Sequence, residues 1–193
     1  LFSKSTHFWG VLFKKYINYP PLRPVIGGVV IALAVYFMGT TKYIGLGVPT
    51  IVDAFNIDLN SYDFILKLLF TSFTLGAGFK GGEVTPLFFI GATLGNVLVW
   101  FIPMPIELLA GMGFVAVFAG ATNTPIACTI MGIELFGIES GVFIALACTT
   151  AYLFSGHSGI YASQIIGSPK HLNFKNEKGL NLTDIEHKRN KKQ

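Results

Sequence analysis

A glycine-rich segment carries the residues of this sequence that are best suited to bind an anion. Residues 76–95 join two apolar runs, and their centre reads Gly81, Gly82, Glu83, Val84, Thr85, Pro86. Pro86 suits the first position of a helix, and Thr85 then takes the N-cap position. The N–H groups of residues 82–85 would have no partner inside that helix, and together with the helix dipole they attract an anion. The segment therefore predicts an anion site at a helix N-terminus.

Glu83 is the most informative single residue of the segment. A carboxylate in an apolar region is costly and is a functional candidate, although it could instead stabilise the helix N-terminus as a simple charge. Burial can raise the pKa of a carboxyl by up to ~3–5 units, and one unit is ~1.4 kcal/mol. The dipole at a helix N-terminus lowers the pKa of a carboxyl, but it contributes only ~0.3–1 kcal/mol. We therefore expect Glu83 to be protonated part of the time at neutral pH, so that anion binding and proton binding favour each other.

Further candidates are hydroxyl groups beside chain breaks. The Thr85 hydroxyl either caps the helix or faces the anion. Tyr161 follows a break rich in Gly and Ser and is expected to open a last short helix over residues 160–166. It is either an interfacial anchor or a donor to the anion from the opposite side of the site. These side chains supply the donors that a small hydrated anion needs.

Other polar residues are expected to have structural roles, although Asn123, Thr124 and Glu134 could also support the anion site. Asn123 and Thr124 precede Pro125 and are typical of helix caps. Glu134 is expected to be a satisfied structural group, and His157 a solvated or capping side chain in a polar break. The sequence contains no Ser/His/Asp arrangement, Walker loop or His/Cys metal cluster. It therefore predicts neither an enzyme nor a bound metal or cofactor.

The composition indicates an integral membrane protein with lipid around it. Hydrophobic residues make up 52% of the chain and charged residues only 12%, whereas a soluble domain carries roughly 25% charge. Between residues 84 and 169 the only charged side chains are Glu107, Glu134 and Glu139. From Lys170 onward there are seven Lys/Arg against three Asp/Glu, which predicts a cytoplasmic tail. This tail is short and lacks interleaved aromatic residues, so nucleic-acid binding is not expected.

The apolar runs predict an all-α protein of short, broken and tilted helices. Gly and Pro breaks separate the expected helices, which cover residues 25–38, 62–75, 86–101, 108–119, 125–136 and 140–154. Residues 25–38 rise only ~21 Å, less than the ~30 Å hydrocarbon core of a bilayer. Broken helices of this kind usually occur in inverted repeats. We interpret residues 1–24 as the end of a preceding segment with an interfacial turn, 25–168 as one repeat, and 169–193 as the basic tail.

Three motifs in order resemble the CLC family of chloride channels and anion/proton antiporters. The first is the loop of residues 81–86, followed by Gly91-Ala92. The second is Phe118-Ala119-Gly120-Ala121-Thr122-Asn123-Thr124-Pro125, followed by Glu134. The third is Ser155-Gly156, after which Tyr161 aligns with the central-site tyrosine of the family. The resemblance covers residues 25–168 and concerns the second half of a family subunit.

The resemblance implies two inverted repeats per subunit, an anion site at helix N-termini, and a homodimer with one pore in each subunit. The first-half motifs, including a Gly-x-Glu-Gly segment, are absent from this sequence. Chloride-type members commonly have an apolar residue and then Phe after the Gly-Gly pair. Glu83 and Thr85 at this place resemble the fluoride/proton antiporter branch, in which the matching residues handle fluoride and protons.

The expected function is fluoride/proton antiport that exports fluoride across a bacterial plasma membrane. One alternative is a chloride channel or a chloride/proton antiporter. An alternative of another class is a non-transporting half-subunit that only dimerises. We expect residues 125–154 to form the subunit contact, because they carry small residues that let helices approach closely: Ala127, Gly132, Gly137, Gly141, Ala145 and Ala147.

Overall fold

The computed structural model describes residues 1–190, which form nine α-helices and no regular β-strand. The last three residues of the expected tail, 191–193, lie outside the described residues. The helices are α1 (Phe2–Tyr16), α2 (Leu22–Met38), α3 (Val48–Asp53), α4 (Asp63–Gly76), α5 (Val84–Leu98), α6 (Ile106–Thr122), α7 (Pro125–Phe136), α8 (Gly141–Phe154) and α9 (Leu182–Asn190). Two 3₁₀ turns cover Ile138–Ser140 and Leu172–Glu177. The prediction of an all-α protein with short helices is confirmed.

Most helix boundaries fall close to the predicted ones. α4, α7 and α8 agree with the expected ranges within one residue at each end. α2 begins at Leu22 rather than residue 25, because Pro24 lies in the first turn, where a missing N–H breaks no helical hydrogen bond. None of the helices in residues 1–190 combines the length and the apolar character that crossing a membrane requires.

The predicted last helix over residues 160–166 is wrong. These residues form a turn followed by an isolated antiparallel bridge between Ile165 and Asn181. Starting a helix is costly, and a seven-residue segment between Gly159 and Gly167 gains few helical bonds in return. The backbone groups of Gln164 and Ile166 instead form hydrogen bonds to residues 179–182 of the tail.

The first structural unit, Leu1–Phe114, is built around α4. α1, α2 and α5 all pack against α4, and α3 packs against α5. Between α1 and α4, Trp9 and Phe13 meet Phe73 edge to face, with ring centroids 5.0 and 5.4 Å apart. The buried face of α5 includes Leu87 and Phe89. α5 is therefore fixed along its length by its neighbours within this unit.

α5 and the first part of α6 approach each other backbone to backbone. A Cβ atom on Gly95 would collide with the main chain of Leu109, and one on Gly91 would collide with that of Gly113. The same holds in reverse for Gly113, whose added Cβ would meet Gly91. Small residues allow this close contact between apolar helices, where no side chain fits.

The second unit begins at Val115 and contains the pair α7 and α8. Gly132 lies against the side chain of Ile144, and Gly141 lies against that of Ile133. Cys128 and Cys148 are buried free thiols, which pack as small hydrophobic core residues. Gly132 and Gly141, two of the small residues expected at a subunit contact, therefore serve packing within this unit.

Candidate functional site

The candidate anion site lies at the start of α5, in the first unit. The helix begins at Val84, and Glu83 occupies the N-cap position without a side-chain cap hydrogen bond. The predicted N-cap role of Thr85 and the first-position role of Pro86 are therefore wrong by two residues. Pro86 still lies in the first turn, where proline is tolerated, so the helix can start earlier than the proline pattern suggests. Glu83, Val84 and Thr85 thus lie within a single turn.

The backbone donors at this helix end have no partner in the described part of the chain. Within residues 1–190, the N–H groups of residues 82–85 donate to no acceptor, and the first bond of the helix end runs from Leu87 N to Glu83 O at 3.2 Å. Such groups must be satisfied by water, side chains or a ligand. They carry the positive end of the helix dipole, which favours an anion.

The side chains of Glu83 and Thr85 in this turn also have no partner among the residues that the structure describes. Glu83 and Thr85 are half-buried, and neither makes a side-chain hydrogen bond or ion pair within the described part of the chain. By contrast, the hydroxyl of Thr93, two turns later in the same helix, donates to Phe89 O at 2.7 Å. The turn therefore offers a carboxyl group and a hydroxyl group that are free to bind a ligand.

Gly81 and Gly82 leave the approach to this turn open. Neither has a positive φ, and a Cβ atom on either would meet nothing within 4 Å. Backbone conformation and packing in this unit therefore do not require glycine at these two positions. The missing side chains do leave the neighbouring N–H groups accessible, which suits a loop that meets a ligand through its backbone.

In the second unit, the turn before α7 joins several predicted residues. Thr124 is the N-cap residue and Pro125 the first helical residue, which confirms the predicted order, although Thr124 makes no side-chain cap bond. Its hydroxyl lies 2.6 Å from that of Thr122. Asn123 has φ +59°, and its side-chain amide donates to Ser158 O at 3.2 Å and to Gln164 Oε1 at 3.0 Å. Asn123 therefore links this turn to the segment around Tyr161.

Tyr161, Glu134 and His157 occupy different environments in that unit. Tyr161 is 48% exposed and Glu134 is exposed, and neither side chain is hydrogen-bonded within residues 1–190. The expectation that Glu134 is a satisfied structural group is therefore wrong for this structure.

His157 is buried rather than solvated: its Nδ1 lies 2.6 Å from Glu177 Oε2, and its Nε2 accepts the N–H of Lys170 at 3.1 Å. Since Nε2 accepts, the ring proton lies on Nδ1 and points at Glu177.

A buried polar cluster in the first unit was not expected from the sequence. Asp63 and Lys67, one turn apart on α4, are both fully buried. Asp63 accepts from Lys42 Nζ at 2.5 Å and from the Tyr43 hydroxyl at 2.6 Å, while Lys67 Nζ donates to Tyr43 O at 3.2 Å and to Gly45 O at 2.6 Å. Two charges at i and i+4 inside an apolar run were the available signal.

Comparison with known proteins identifies the family. The family model described as voltage gated chloride channel matches residues 1–156. The chain belongs to the voltage gated chloride channel family. Members of this CLC family are integral membrane proteins, and the predicted resemblance is confirmed. The matched region contains the start of α5 and the turn before α7, and it ends before Tyr161.

Curated relatives and a solved structure place the chain more closely among CLC proteins. A chloride/fluoride channel protein of Pseudomonas syringae pv. tomato is 52% identical over 177 residues, covering 89% of this chain and 39% of the relative. The voltage-gated ClC-type chloride channel ClcB of Salmonella typhimurium is 29% identical over 160 residues, covering 74% and 37%. A crystal structure of a CLC-type fluoride/proton antiporter superposes with a TM-score of 0.79 at 38% identity, covering 83% of this chain and 41% of that one. The chain spans about two fifths of the length of these CLC relatives.

Proposed function

We propose that the protein containing this chain exchanges fluoride for protons and exports fluoride, with the anion bound at the start of α5. The observation that carries the proposal is the turn of residues 82–85, where N–H groups, the Thr85 hydroxyl and the Glu83 carboxyl all lack partners within residues 1–190. Fluoride is small and strongly hydrated, so a site for it must replace water with donors. The likeness to a chloride/fluoride channel protein and to a fluoride/proton antiporter supports the choice of ion.

Each residue of the turn has a separate part in this proposal. The N–H groups and the Thr85 hydroxyl donate hydrogen bonds to the anion, and Gly81 and Gly82 leave the backbone accessible. Val84 contributes the apolar wall of the turn. Glu83 donates a hydrogen bond to fluoride when it is protonated, so that a bound anion and a bound proton favour each other. When Glu83 ionises, its proton leaves toward the side of the membrane opposite to the one where fluoride leaves. On the second unit, Tyr161 is proposed as a separate donor of a hydrogen bond to the transported anion.

The principal experiment measures both ions in liposomes that contain the complete native protein. Vesicles loaded with fluoride should release it, and because protons enter as fluoride leaves, the lumen should acidify. A fluoride electrode and an internal pH dye record the two fluxes, and protein-free vesicles correct for diffusion of hydrogen fluoride. Chloride flux that equals or exceeds fluoride flux would favour the chloride channel or chloride/proton antiporter instead, for which the likeness to ClcB is the supporting observation.

Glu83→Gln separates anion binding from proton transfer. The amide keeps the size and a donor but cannot release a proton, so fluoride binding should persist while luminal acidification falls to the protein-free rate. Glu83→Ala removes the donor as well and should weaken fluoride binding about tenfold, since a hydrogen bond to an ion is worth about 1.5 kcal/mol or more. Exchange by Glu83→Gln at the wild-type ratio and rate would mean that Glu83 only stabilises the helix end.

The proposed assembly is a homodimer in a bacterial plasma membrane, with residues 25–168 as the second repeat of a subunit and the tail from residue 169 in the cytoplasm. Large apolar side chains of α7 and α8 are exposed and would form the subunit contact: Ile126, Ile130, Leu135, Val142 and Leu146. Single cysteines placed along residues 125–154 should crosslink between subunits, and the buried Cys128 and Cys148 should not interfere. Crosslinking only at positions outside this range would contradict the assignment.

A half-subunit that only dimerises remains the alternative of another class. The chain covers 39% of the length of its chloride/fluoride channel relative. Reading the gene upstream of Leu1 distinguishes the two. A further apolar region with a Gly-x-Glu-Gly segment supports the transporter, whereas a reading frame without such a region supports the half-subunit.

A further inference from the structure

The segment around Tyr161 does not fix its own position. Residues 160–167 form a turn in which Gln164 N donates to Tyr161 O at 3.0 Å, and Ile160 N donates to Ala121 O at 2.9 Å. The Tyr161 ring is 48% exposed, and its hydroxyl has no hydrogen bond within residues 1–190. Because the Tyr161 hydroxyl makes no hydrogen bond of its own there, the position of this side chain depends on the backbone of the residues around it.

The C-terminal tail supplies much of what fixes this turn. Leu182 N donates to Gln164 O at 3.1 Å and Thr183 N donates to Ala162 O at 3.2 Å. In the other direction, Ile166 N donates to Leu180 O at 3.0 Å. Beneath these bonds, Ile166, Leu182 and Ile185 form a small apolar cluster. Tail residues 179–183 therefore bond directly to the residues that follow Tyr161.

A second connection runs through Lys170 and Asn123. The Lys170 ammonium donates to Asn123 Oδ1, to Ser155 Oγ at 2.8 Å and to Gly156 O at 2.7 Å, and it lies 4.0 Å from the centre of the Tyr152 ring. All three of its N–H groups are thus used. Asn123 in turn donates to Gln164 Oε1, and Gln164 Nε2 donates to Thr122 O at 3.2 Å. One lysine therefore anchors the start of the tail, through Asn123, to the Tyr161 turn.

Close packing does not replace these polar links. A cavity of about 190 Å³ lies beside the turn, with Asn123, Gln164 and Lys170 among its lining residues. Atoms next to a void lose contacts on that side, so the turn has room to shift if a polar link is removed. The hydrogen bonds of Asn123 and Lys170 therefore have the larger share in setting where Tyr161 lies.

We infer that Asn123 and Lys170 are positioning residues, through which the C-terminal tail sets the place of the Tyr161 hydroxyl and so the affinity for the anion. The inference rests on the proposed function for its consequence in transport, but its geometric part concerns only this unit. Neither residue needs to touch the anion. Displacing the tail should weaken anion binding without removing a single group that contacts the ion.

A double-mutant cycle in the complete protein tests the transport consequence. Lys170→Met should raise the KM for fluoride about threefold to tenfold with a smaller change in kcat. In a Tyr161→Phe background, which has no hydroxyl to misplace, the same substitution should change the KM less than twofold. Lys178→Met is the matched control, because Lys178 is an exposed tail lysine whose loss removes the same charge. Equal effects of Lys170→Met in both backgrounds would overturn the inference, because independent sites add.

Maleimide labelling of Tyr161→Cys tests the geometry without reference to any ion. Adding Lys170→Met should change the labelling rate of Cys introduced at 161 at least threefold, and adding Lys178→Met should not. Asn123→Gly provides a second route if the Lys170 variant folds poorly, since glycine accepts the +59° φ and only the side-chain bonds are lost. Unchanged labelling in both variants would overturn the inference even if fluoride transport is confirmed. Changed labelling without fluoride transport would leave the geometry standing and refute the proposed function.

Discussion

Two groups of polar side chains interrupt apolar segments of the first unit. The polar atoms of one group are hydrogen-bonded, and those of the other group have no partner within residues 1–190. Asp63 and Lys67 on α4 are fully buried, and their polar atoms are bonded to residues of the loop after α2. Glu83 and Thr85 at the start of α5 are half-buried and have no such bonds within residues 1–190. Unmade hydrogen bonds in a poorly hydrated place are costly, so a fold supplies partners wherever polar groups serve the fold alone.

The difference separates a structural cluster from a candidate binding site. The segment Lys42–Gly45 supplies two donors to Asp63 and two carbonyl acceptors to Lys67, and the Phe89 ring lies 5.0 Å from the Lys67 ammonium. This cluster therefore ties the loop after α2 to α4 and α5. At the start of α5 no such partners are present among residues 1–190, which is the arrangement that a bound ion would complete.

The largest expected effect is on stability, from Asp63→Ala. The substitution leaves the buried Tyr43 hydroxyl and the Lys42 ammonium without their acceptor, so the free energy of unfolding should fall by about 3 kcal/mol or more. Thermal unfolding followed by gel filtration measures the loss. Asp58→Ala is the control, because Asp58 is exposed and its removal should leave stability nearly unchanged. Equal losses in the two variants would mean that the cluster contributes little to the fold.

A pair of threonines in α5 sharpens the comparison. Thr93→Val removes a buried hydroxyl that donates to Phe89 O, and it should lower the free energy of unfolding by about 1 kcal/mol. Thr85→Val removes a hydroxyl without a partner, so stability should change by less than about 0.5 kcal/mol. Thr85→Val should reduce fluoride affinity more than Thr93→Val does, with a severalfold rise in KM for Thr85→Val. An unchanged KM in Thr85→Val would remove the hydroxyl from the proposed site.

Gly82→Ala is expected to have a smaller effect of the same kind. An added methyl meets no atom of this unit and requires no unusual backbone angle, so folding should be unaffected. The methyl does stand beside the N–H group of the next residue, Glu83, and fluoride flux should therefore fall severalfold or less. Gly81→Ala serves as the neighbouring comparison. A strong loss of folded protein in either variant would show that the loop needs glycine for packing elsewhere in the protein.

The smallest expected effect is a pH dependence at the tail. Burial lowers the pKa of Lys170 from 10.5 to about 8. A released tail would have the ordinary value, so protons favour release: the bound tail gains stability as pH rises from about 8 to 10.5 and shows no dependence on Lys170 below about 8. Groups near this ammonium include Asn123, Ser155 and Tyr152, while His157 and Glu177 pair with each other. The labelling rate at position 161, divided by that of the Lys170→Met variant at each pH, should therefore change only above pH 8.

Sequence patterns predicted the helices well where local signals act alone. Pro125 at the first helical position and the Gly break after residue 136 defined α7, and the apolar run up to residue 75 defined α4. The Gly-Gly-Glu-Val-Thr-Pro segment also marked the candidate site, because its chemistry lies within a few consecutive residues. The start of α5 was misplaced because proline is tolerated throughout the first turn and not only at its first position.

The remaining features depend on contacts between residues far apart in sequence. His157 was expected to be a solvated or capping side chain, but Glu177 and the N–H of Lys170 bond to its ring from the tail. Residues 160–166 were expected to be helical, but residues 179–183 compete for their backbone groups. Local propensity is a weak prior that such tertiary contacts override. The roles of Asn123 and Lys170 likewise arise from bonds between segments that no local pattern joins.

The close contact between α5 and α6 has a mechanical consequence. Where Gly91 and Gly95 touch the main chain of Leu109 and Gly113, there is no side chain whose rotamers could absorb a displacement. Packed interiors have low compressibility and transmit strain. A displacement of the C-terminal end of α5, near Leu98, is therefore transmitted along a rigid helix to Val84. The part of α6 that contacts α5 has to move with it. Any movement at the start of α5 then involves the loop before the helix, or both helices shifting as one body.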